Sequence, residues 1–241
     1  MTFSNRSILV TGASSGIGRE VAVTTANEGA FVYLTGRNRE RLEATKQLAG
    51  AASETIVCEL TSDEDIDMLT DKTENLDGAV LCAGINEYVP VKSISRKRLE
   101  RIFDTNFYAP VLLVRQLIKK KKLNRGASVI FVSSIAACLG TPATLPYASS
   151  KAAINAAAKV MAVELAQQGI RVNVVSPGIV KSEMINKQDI EASQFMDLEK
   201  HYPLGLGAPR NVADTVKFLL SDDSAWITGA NIIIDGGFTL L

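Results

Sequence analysis

The sequence predicts an α/β fold in which one parallel sheet is covered by helices on both faces. Short apolar runs rich in Val and Ile alternate with longer helix-like stretches, and short turns separate them. The first of these runs leads directly into a glycine-rich turn. Strands of this kind, when they alternate with helices, are typical of parallel sheets with two buried faces. At 241 residues the chain can form one such domain, residues 1–241.

Charge and hydropathy exclude several classes of function. Lys and Arg total 26, as do Asp and Glu, so no overall field attracts nucleic acid or an anionic membrane. No apolar run approaches the ~20 residues of a membrane span, and the N-terminal residues lead into a strand rather than a signal sequence. We therefore expect a cytoplasmic protein that binds neither nucleic acid nor membrane.

The cysteines and the one histidine give no sign of a metal site. Cys58, Cys82 and Cys138 have no CxxC spacing, so neither a disulfide framework nor a zinc site is indicated. His201 is the only histidine, which excludes a Ser/His/Asp triad and a multi-histidine metal site. We expect no metal.

The first strand, residues 7–11, ends at a turn with three glycines and is followed by a helix over residues 19–28. Gly12 permits the tight turn, and Gly16 lets a phosphate approach the backbone. Gly18 lets the helix pack on the strand, so that a pyrophosphate would lie at the helix N-terminus. The spacing is GxxxGxG rather than GxGxxG, and the alternative is a glycine-rich turn without a ligand.

The second strand, residues 31–35, is followed by Gly36, Arg37, Asn38 and Arg39. NAD-specific sites usually place Asp or Glu here, where it binds the ribose hydroxyls. The missing carboxylate and the presence of Arg37 favour a 2′-phosphate, and hence NADP(H) over NAD(H). The alternative is that Arg37 only begins a solvated helix over residues 39–48, and Ser14 in the glycine turn adds no second cation.

The remaining elements continue the alternation. Further strands are predicted at residues 54–58, 78–82, 127–133, 171–175 and 231–234, and helices at 63–75, 96–122, 147–168 and 210–221. In parallel sheets, ligands bind beyond the carboxyl ends of the strands. The residues that follow these predicted strands include Gly84, Ser133-Ser134 and Pro177-Gly178.

A tyrosine and a lysine four residues apart are the candidate proton-transfer pair. Tyr147 and Lys151 would share one face of a helix at adjacent turns. A cation within a few ångströms stabilises the phenolate, so we expect Lys151 to lower the pKa of Tyr147 and make it a usable general acid/base. The alternative is an ordinary surface pair, because this spacing is common on helices.

Two features predict self-association. The helix that begins near Tyr147 is narrow because it carries Ala152, Ala153, Ala156, Ala157 and Ala158, and the chain ends in the apolar residues 238–241. A narrow face can pack closely against another helix, either within the fold or across an oligomer interface, and the sequence alone does not choose between them. We expect a homotetramer or homodimer.

The combined motifs resemble the short-chain dehydrogenase/reductase family over essentially the whole chain. They are Thr11-Gly12-Ala-Ser-Ser-Gly16-Ile-Gly18, Asp104-Thr-Asn106-Phe107, Ser134, Tyr147-Ala-Ser-Ser-Lys151, Arg171-Val-Asn-Val-Val-Ser-Pro177-Gly178, Ile227-Thr-Gly229 and Asp235-Gly-Gly237. The resemblance implies a doubly wound Rossmann-type sheet of about seven strands. It also implies a catalytic tetrad of Asn106, Ser134, Tyr147 and Lys151.

The resemblance gives each tetrad residue a role. Tyr147 donates a proton to the oxygen as hydride reaches the carbonyl carbon, and Ser134 binds that oxygen. Lys151 holds the nicotinamide ribose, and Asn106 seats a water that links Lys151 to solvent. Ser134 is preferred over Ser133 because of the family spacing to Tyr147, and strand alternation lets only one of the two face the substrate.

Contacts with NADP(H) are expected from seventeen residues. They are Gly12, Ser14, Ser15, Gly16, Ile17, Gly18, Arg37, Glu59, Leu60, Ala83, Gly84, Tyr147, Lys151, Pro177, Gly178, Val180 and Ser182. Two positions depart from the family pattern. Leu81-Cys82 replaces the usual Asn-Asn, and Glu59 replaces the Asp beside the adenine, with Leu60 expected against the ring.

The sequence is most similar to 3-oxoacyl-[acyl-carrier-protein] reductases, which implies an NADP-dependent ketone reductase or alcohol dehydrogenase. Those enzymes dock an acidic carrier through basic residues near the site mouth. Arg125 falls at one such position but Gln168 at the other, so a sugar or another small secondary alcohol is an equal alternative to a carrier thioester. A non-catalytic dinucleotide sensor is a third reading. Residues 136–146 and a lid over residues 179–202 are expected to determine specificity.

Overall fold

The sheet has seven parallel strands. The computed structural model describes residues 2–181 and 199–241 of the chain. The strands are β1 (Ser7–Thr11), β2 (Phe31–Gly36), β3 (Ser53–Val57), β4 (Leu76–Leu81), β5 (Leu123–Val132), β6 (Arg171–Pro177) and β7 (Asn231–Ile234). Their order across the sheet is β3-β2-β1-β4-β5-β6-β7, and all neighbours run parallel. The predicted doubly wound topology is confirmed.

Seven α-helices connect the strands within the described residues. They are α1 (Gly16–Asn27), α2 (Arg39–Ala49), α3 (Asp63–Lys72), α4 (Arg96–Phe103), α5 (Ala109–Lys119), α6 (Leu145–Leu165) and α7 (Pro209–Leu220). Side chains of Asn38, Ser62 and Ser95 accept hydrogen bonds from the first turns of α2, α3 and α4. No helix in the described ranges is long and apolar enough to cross a bilayer.

Alternation along the strands produces two separate cores. In β1, Leu9 points to one face of the sheet, while Ile8 and Val10 point to the other. Leu9 belongs to the core formed with α3, α5 and α6. Ile8 and Val10 belong to the core formed with α1, α2 and α7. Both faces are therefore buried, which explains why the strand sequences are almost continuously apolar.

The long helix predicted over residues 96–122 is interrupted. Between α4 and α5 the chain forms a π-helical turn, Asp104–Tyr108, and α5 ends at Lys119. Pro110 stands in the first turn of α5. Because proline has no N–H, it cannot bond the carbonyl of Asn106 four residues earlier, which favours the wider turn. The prediction of one continuous helix is wrong here. β5 also begins four residues earlier than predicted, at Leu123 rather than 127.

Candidate active site

The glycine turn between β1 and α1 has no room for side chains. Gly12 has φ +66°, and a Cβ there would lie 2.9 Å from the backbone N and Cα of Ala83. A Cβ on Gly18 would lie 2.3 Å from the carbonyl oxygen of Gly12. Gly16 also has positive φ, 54°. The predicted reasons for Gly12 and Gly18, a tight turn and close packing of helix on strand, agree with these contacts.

Side chains behind the turn fix the direction of its peptide groups. Thr45 Oγ1 on α2 donates to the carbonyl of Ala13 at 2.9 Å, and Arg19 Nη2 donates to that of Ser14 at 2.7 Å. Because side chains of α2 and α1 hold these two carbonyls, the N–H groups of the same peptides point away from those side chains. Sequence reasoning missed Thr45, since a buried threonine on a helix carries no local signal for this contact.

Thr11 ties the ends of β1 and β4 together. Its Oγ1 accepts hydrogen bonds from the backbone N–H groups of Cys82 and Ala83, at 3.0 and 3.1 Å. The predicted loss of polar side chains at Leu81-Cys82 is thus offset by a hydroxyl on the neighbouring strand. Burial raises the pKa of the Cys82 thiol to about 11, and the nearby charge of Lys151 opposes that rise.

Tyr147 and Lys151 lie on the same face of α6, as predicted. Lys151 Nζ is 5.7 Å from the centroid of the Tyr147 ring. The ammonium donates a hydrogen bond of 2.8 Å to the carbonyl of Val132, the last residue of β5, and the side chain is buried. The pair therefore sits at the carboxyl edge of the sheet, next to the end of a central strand, rather than on the outer surface of a helix.

The pKa of Tyr147 moves in the direction opposite to the prediction. Burial raises the pKa of Tyr147 to about 12, and a hydrogen bond with the Ser134 hydroxyl offsets only part of this rise. Burial also lowers the pKa of Lys151 to about 8. The expected net lowering of the Tyr147 pKa is therefore not found in this structure, because desolvation of the phenolate outweighs the contact that lowers the pKa. At neutral pH, Tyr147 holds its proton.

The two adjacent serines after β5 face different neighbours. Ser133 is buried, and its Oγ donates to the carbonyl of Lys151 at 3.2 Å. Ser134 Oγ accepts a hydrogen bond of 3.2 Å from the backbone N–H of Ala136, and the same hydroxyl reaches Tyr147. The geometry therefore favours Ser134 as the serine beside Tyr147, in line with the prediction.

Asn106 lies in the π-helical turn and is 1% exposed. Its Oδ1 accepts from the N–H of Ile85 at 2.8 Å, and its Nδ2 donates to the carbonyl of Ile85 at 2.9 Å and to Ser150 Oγ at 3.1 Å. A Cβ on Gly84 would lie 3.2 Å from Asn106 Oδ1 and 3.4 Å from Lys151 Nζ. Asn106 is thus close to Lys151, and it also holds the segment that follows β4.

Further contacts fix that segment beside Tyr147. The Glu87 carboxylate pairs with Arg98 at 2.8 Å and with Arg101 at 2.5 Å, both on α4. The backbone N–H of Val89 donates to the carbonyl of Ala143 at 2.7 Å, inside the stretch predicted to determine specificity. Tyr88, between them, is half exposed, and its hydroxyl lies near enough to Tyr147 to affect its pKa. Sequence reasoning missed these residues, because the ion pairs depend on how α4 packs.

The predicted adenosine end of the site lies at the ends of β2 and β3. Arg37 Nη1 is 3.5 Å from Glu59 Oε2. A Cβ on Gly36 would lie 3.6 Å from Ser14 Oγ, so Ser14 and Gly36 are in contact distance. Leu60 is almost fully buried and lines a cavity of about 200 Å³ with Thr61, Tyr108 and Leu112.

Of the other residues predicted to matter for the site, some lie within the described residues and some lie outside them. Gly178, after β6, donates its N–H to the carbonyl of Ile234 at 2.9 Å, and buried Val180 forms a bridge with Gly207. Ser182 and most of the predicted lid lie outside the described residues. Arg125 is near the start of β5, seven residues before Val132, or about 23 Å along the strand. The expectation that Arg125 lies near the mouth of the same chain's site is therefore wrong.

These residues fit a dinucleotide. The glycine turn offers backbone N–H groups at a helix N-terminus that has no carboxylate in its first turn. Gly84 keeps the space beside Lys151 free of a side chain, and Arg37 supplies an exposed cation at the end of β2. The donors and the glycine contacts thus extend along the carboxyl edge from β2 to β6.

Comparisons with known proteins agree over nearly the full chain. A family profile described as enoyl-(acyl carrier protein) reductase matches residues 12–239. The chain is 34% identical over 239 residues to the 3-oxoacyl-[acyl-carrier-protein] reductase FabG of Rickettsia bellii, covering 99% of this chain and 98% of that protein. It is 31% identical over 248 residues to glucose 1-dehydrogenase of Gluconobacter oxydans, covering 99% and 93%.

Comparison of the fold with solved structures agrees with the sequence comparisons. The structure of a short-chain type dehydrogenase/reductase from Mycobacterium ulcerans matches this one with a TM-score of 0.91 and 29% sequence identity. The match covers 100% of this chain and 92% of that one. The similarity thus includes all the strands and the turns at their carboxyl ends.

Proposed function

Because this chain belongs to the short-chain dehydrogenase/reductase family of NAD(P)-dependent oxidoreductases, we propose that it reduces a ketone to a secondary alcohol with NADPH. The observation that carries the proposal is the cluster of Ser134, Tyr147 and Lys151 at the carboxyl edge of the sheet. A phenol, a hydroxyl and an ammonium meet there beside a turn suited to a dinucleotide.

Three parts of the site would hold the cofactor. The N–H groups of the turn from Gly12 to Gly18 would bind the pyrophosphate. Arg37 would bind the 2′-phosphate, and Lys151 the nicotinamide ribose. NADPH, when bound, supplies the hydride that adds to the carbonyl carbon of the substrate.

Tyr147 is the proton donor in this proposal. Adding hydride to a ketone places negative charge on its oxygen, and the Tyr147 phenol releases its proton to that oxygen. A pKa of about 12 keeps the phenol protonated at neutral pH, so the proton that reduction requires is present on Tyr147. The Ser134 hydroxyl, already hydrogen-bonded to Tyr147, would also bind the oxygen and orient it.

Lys151 and Asn106 would support this proton transfer. The ammonium of Lys151, which is 5.7 Å from the Tyr147 ring centroid, stabilises negative charge that develops on the phenol oxygen. Asn106 holds the Ile85 peptide through two hydrogen bonds and thereby fixes Gly84 beside Lys151. We therefore propose that Asn106 positions the site through this peptide, in addition to its expected role in seating a water.

Two substrate classes are proposed. The first is a 3-oxoacyl thioester, which the 34% identity to the Rickettsia bellii reductase supports. The second is a sugar or another small secondary alcohol, which the 31% identity to the Gluconobacter oxydans glucose 1-dehydrogenase supports. The position of Arg125 weakens docking of a carrier protein at the site of the same chain, so a small thioester is the first test compound.

The test follows NADPH oxidation with a panel of ketones that includes a 3-oxoacyl thioester, and NADP⁺ reduction with glucose. Tyr147→Phe keeps the ring and removes the proton, so turnover should fall by ~10²–10⁴ while NADPH affinity stays within about twofold. Ser149→Ala, an exposed change on the same helix, is the matched control. A Phe variant with near-normal turnover would show that another group is the acid. Binding of NADPH without turnover of any compound would favour the sensor reading.

We also propose a homodimer or homotetramer. Val160 and Val163 on α6 are exposed, as are Leu240 and Leu241 at the chain end. Trp226 is fully exposed, in a turn whose Gly229 approaches Ala162 of α6. Large exposed apolar side chains are typical of surfaces that a second subunit covers.

A further inference from the structure

We propose that Glu59 controls how strongly this protein distinguishes NADP(H) from NAD(H), because its carboxylate competes with the 2′-phosphate for the guanidinium of Arg37. The proposal deepens the proposed function and rests on the phosphate-binding role given there to Arg37. It adds a residue that lies on a different strand end from Arg37 and that was expected to contact only the adenine.

The two side chains meet because β2 and β3 are neighbours in the sheet. Arg37 follows the last residue of β2, and Glu59 lies two residues beyond the end of β3. The N–H of Cys58 donates to the carbonyl of Gly36 at 3.0 Å, which holds the two strand ends side by side. Arg37 Nη1 then lies 3.5 Å from Glu59 Oε2, with the side chains 70% and 44% exposed.

Two hydrogen bonds, in addition to the contact with Arg37, hold Glu59. Its backbone N–H donates to Asp65 Oδ2 at 2.7 Å, and its Oε1 accepts from the N–H of Thr61 at 3.3 Å. One carboxylate oxygen therefore holds the local turn, while the other faces Arg37. Because these two hydrogen bonds hold the residue, the charge of Glu59 stays near Arg37 even when another anion binds the guanidinium.

The competition follows from charge and exposure. An ion pair between two exposed side chains is weak, so a phosphate with nearly two negative charges can displace the carboxylate from Arg37. The displaced carboxylate still lies within a few ångströms and cancels part of the attraction between Arg37 and the phosphate. Nucleotides that lack the 2′-phosphate do not need Arg37 and escape this effect.

The experiment compares adenosine 2′,5′-bisphosphate with adenosine 5′-monophosphate by calorimetry at low ionic strength. These probes report binding without turnover. Glu59→Gln removes the charge but keeps an oxygen that can accept from Thr61 N–H and from the adenine amine. We expect the bisphosphate to bind about three- to tenfold more tightly to this variant, and the monophosphate to change less than about twofold.

Two further variants make the comparison specific. Glu100→Gln removes a carboxylate from a similar exposed pair, 3.6 Å from Arg96, and should change neither affinity. In an Arg37→Gln background, Glu59→Gln should no longer improve bisphosphate binding, because there is no guanidinium to release. An equal gain with and without Arg37 would overturn the proposal, since Glu59 would then only repel the phosphate directly.

The remaining outcomes separate this proposal from the proposed function. If both nucleotides bind but Glu59→Gln leaves their affinity ratio unchanged, the role of Glu59 is wrong and the cofactor site stands. If neither nucleotide binds to any variant, the dinucleotide site itself is wrong, and the role of Glu59 is overturned with it.

Discussion

Replacing Asn106 by Ala should destabilise the protein as well as inactivate it. The substitution removes three hydrogen bonds, of 2.8, 2.9 and 3.1 Å, from a side chain that is 1% exposed. Ser150 keeps a second bond, to the carbonyl of Tyr147 at 2.7 Å, whereas the N–H and C=O of Ile85 each lose the partner that Asn106 supplies. Ile85 is half-buried, so water can reach part of it. Each backbone group left without a partner therefore costs less free energy than a fully buried one would.

The expected loss is about 2–4 kcal/mol of unfolding free energy, from about 1–2 kcal/mol for each of the two Ile85 groups. In a chain of 241 residues this corresponds to a fall of about 4–16 °C in Tm. The assay is urea unfolding at one fixed protein concentration, because an oligomer would make the midpoint depend on concentration.

Asn155→Ala is the matched control. Asn155 lies on α6, and its buried Oδ1 has no hydrogen-bond partner among the described residues. Its removal should therefore cost less than about 1 kcal/mol. The reasoning fails if the unfolding free energy of Asn106→Ala lies within about 0.5 kcal/mol of that of the unmodified protein. It also fails if Asn155→Ala lowers the unfolding free energy as much as Asn106→Ala does, because the hydrogen bonds to Ile85 would then not stabilise this segment.

Three other predictions concern pH, cofactor choice and assembly. The pKa of Lys151 is about 8 in the fold and 10.5 in the unfolded chain, so the unfolded state binds more protons between these values. Between pH 8 and 10.5 the unfolding free energy of the unmodified protein should therefore rise by about 1–3 kcal/mol more than that of Lys151→Met. Urea unfolding at a series of pH values measures this difference. If the unfolding free energies of the two proteins change equally with pH, the pKa of Lys151 is not lowered. The kcat/KM should be higher for NADPH than for NADH by about one to two orders of magnitude, and the double substitution Gly36→Asp, Arg37→Gln should invert this preference. Equal kcat/KM values for the two cofactors in the unmodified protein would exclude the role of Arg37. A Cβ on Gly36 would meet Leu42 and Ser14 at no less than 3.6 Å, which is ordinary van der Waals contact. Light scattering should give two or four times the chain mass of 25.9 kDa, and a monomeric mass at micromolar concentration would rule out the assembly.

Much of the fold was predictable because its signals are local. The strand at Ser7–Thr11 and the strand at Asn231–Ile234 have the predicted bounds, since each is a short apolar run between turn residues. The continuous helix was predicted wrongly, although Pro110 is visible in the sequence. A proline near a helix start is usually tolerated, so Pro110 alone did not predict the wider turn, in which Asn106 also bonds Ile85.

The candidate site was predictable as a set of residues but not as an electrostatic environment. The sequence by itself determined that Tyr147 and Lys151 share a helix face, because four residues make about one helical turn. It also determined the glycine turn, because three glycines lie between a short apolar run and a helix-like stretch.

Tertiary structure decided what the charged groups do. Burial at the end of β5 raises the pKa of Tyr147 and lowers that of Lys151, which reverses the effect predicted from spacing. The pairing of β2 with β3 brings Glu59 to Arg37, although 22 positions separate them in the chain. Desolvation and ion pairing depend on which elements become neighbours, and that information belongs to the packed sheet rather than to any stretch of sequence.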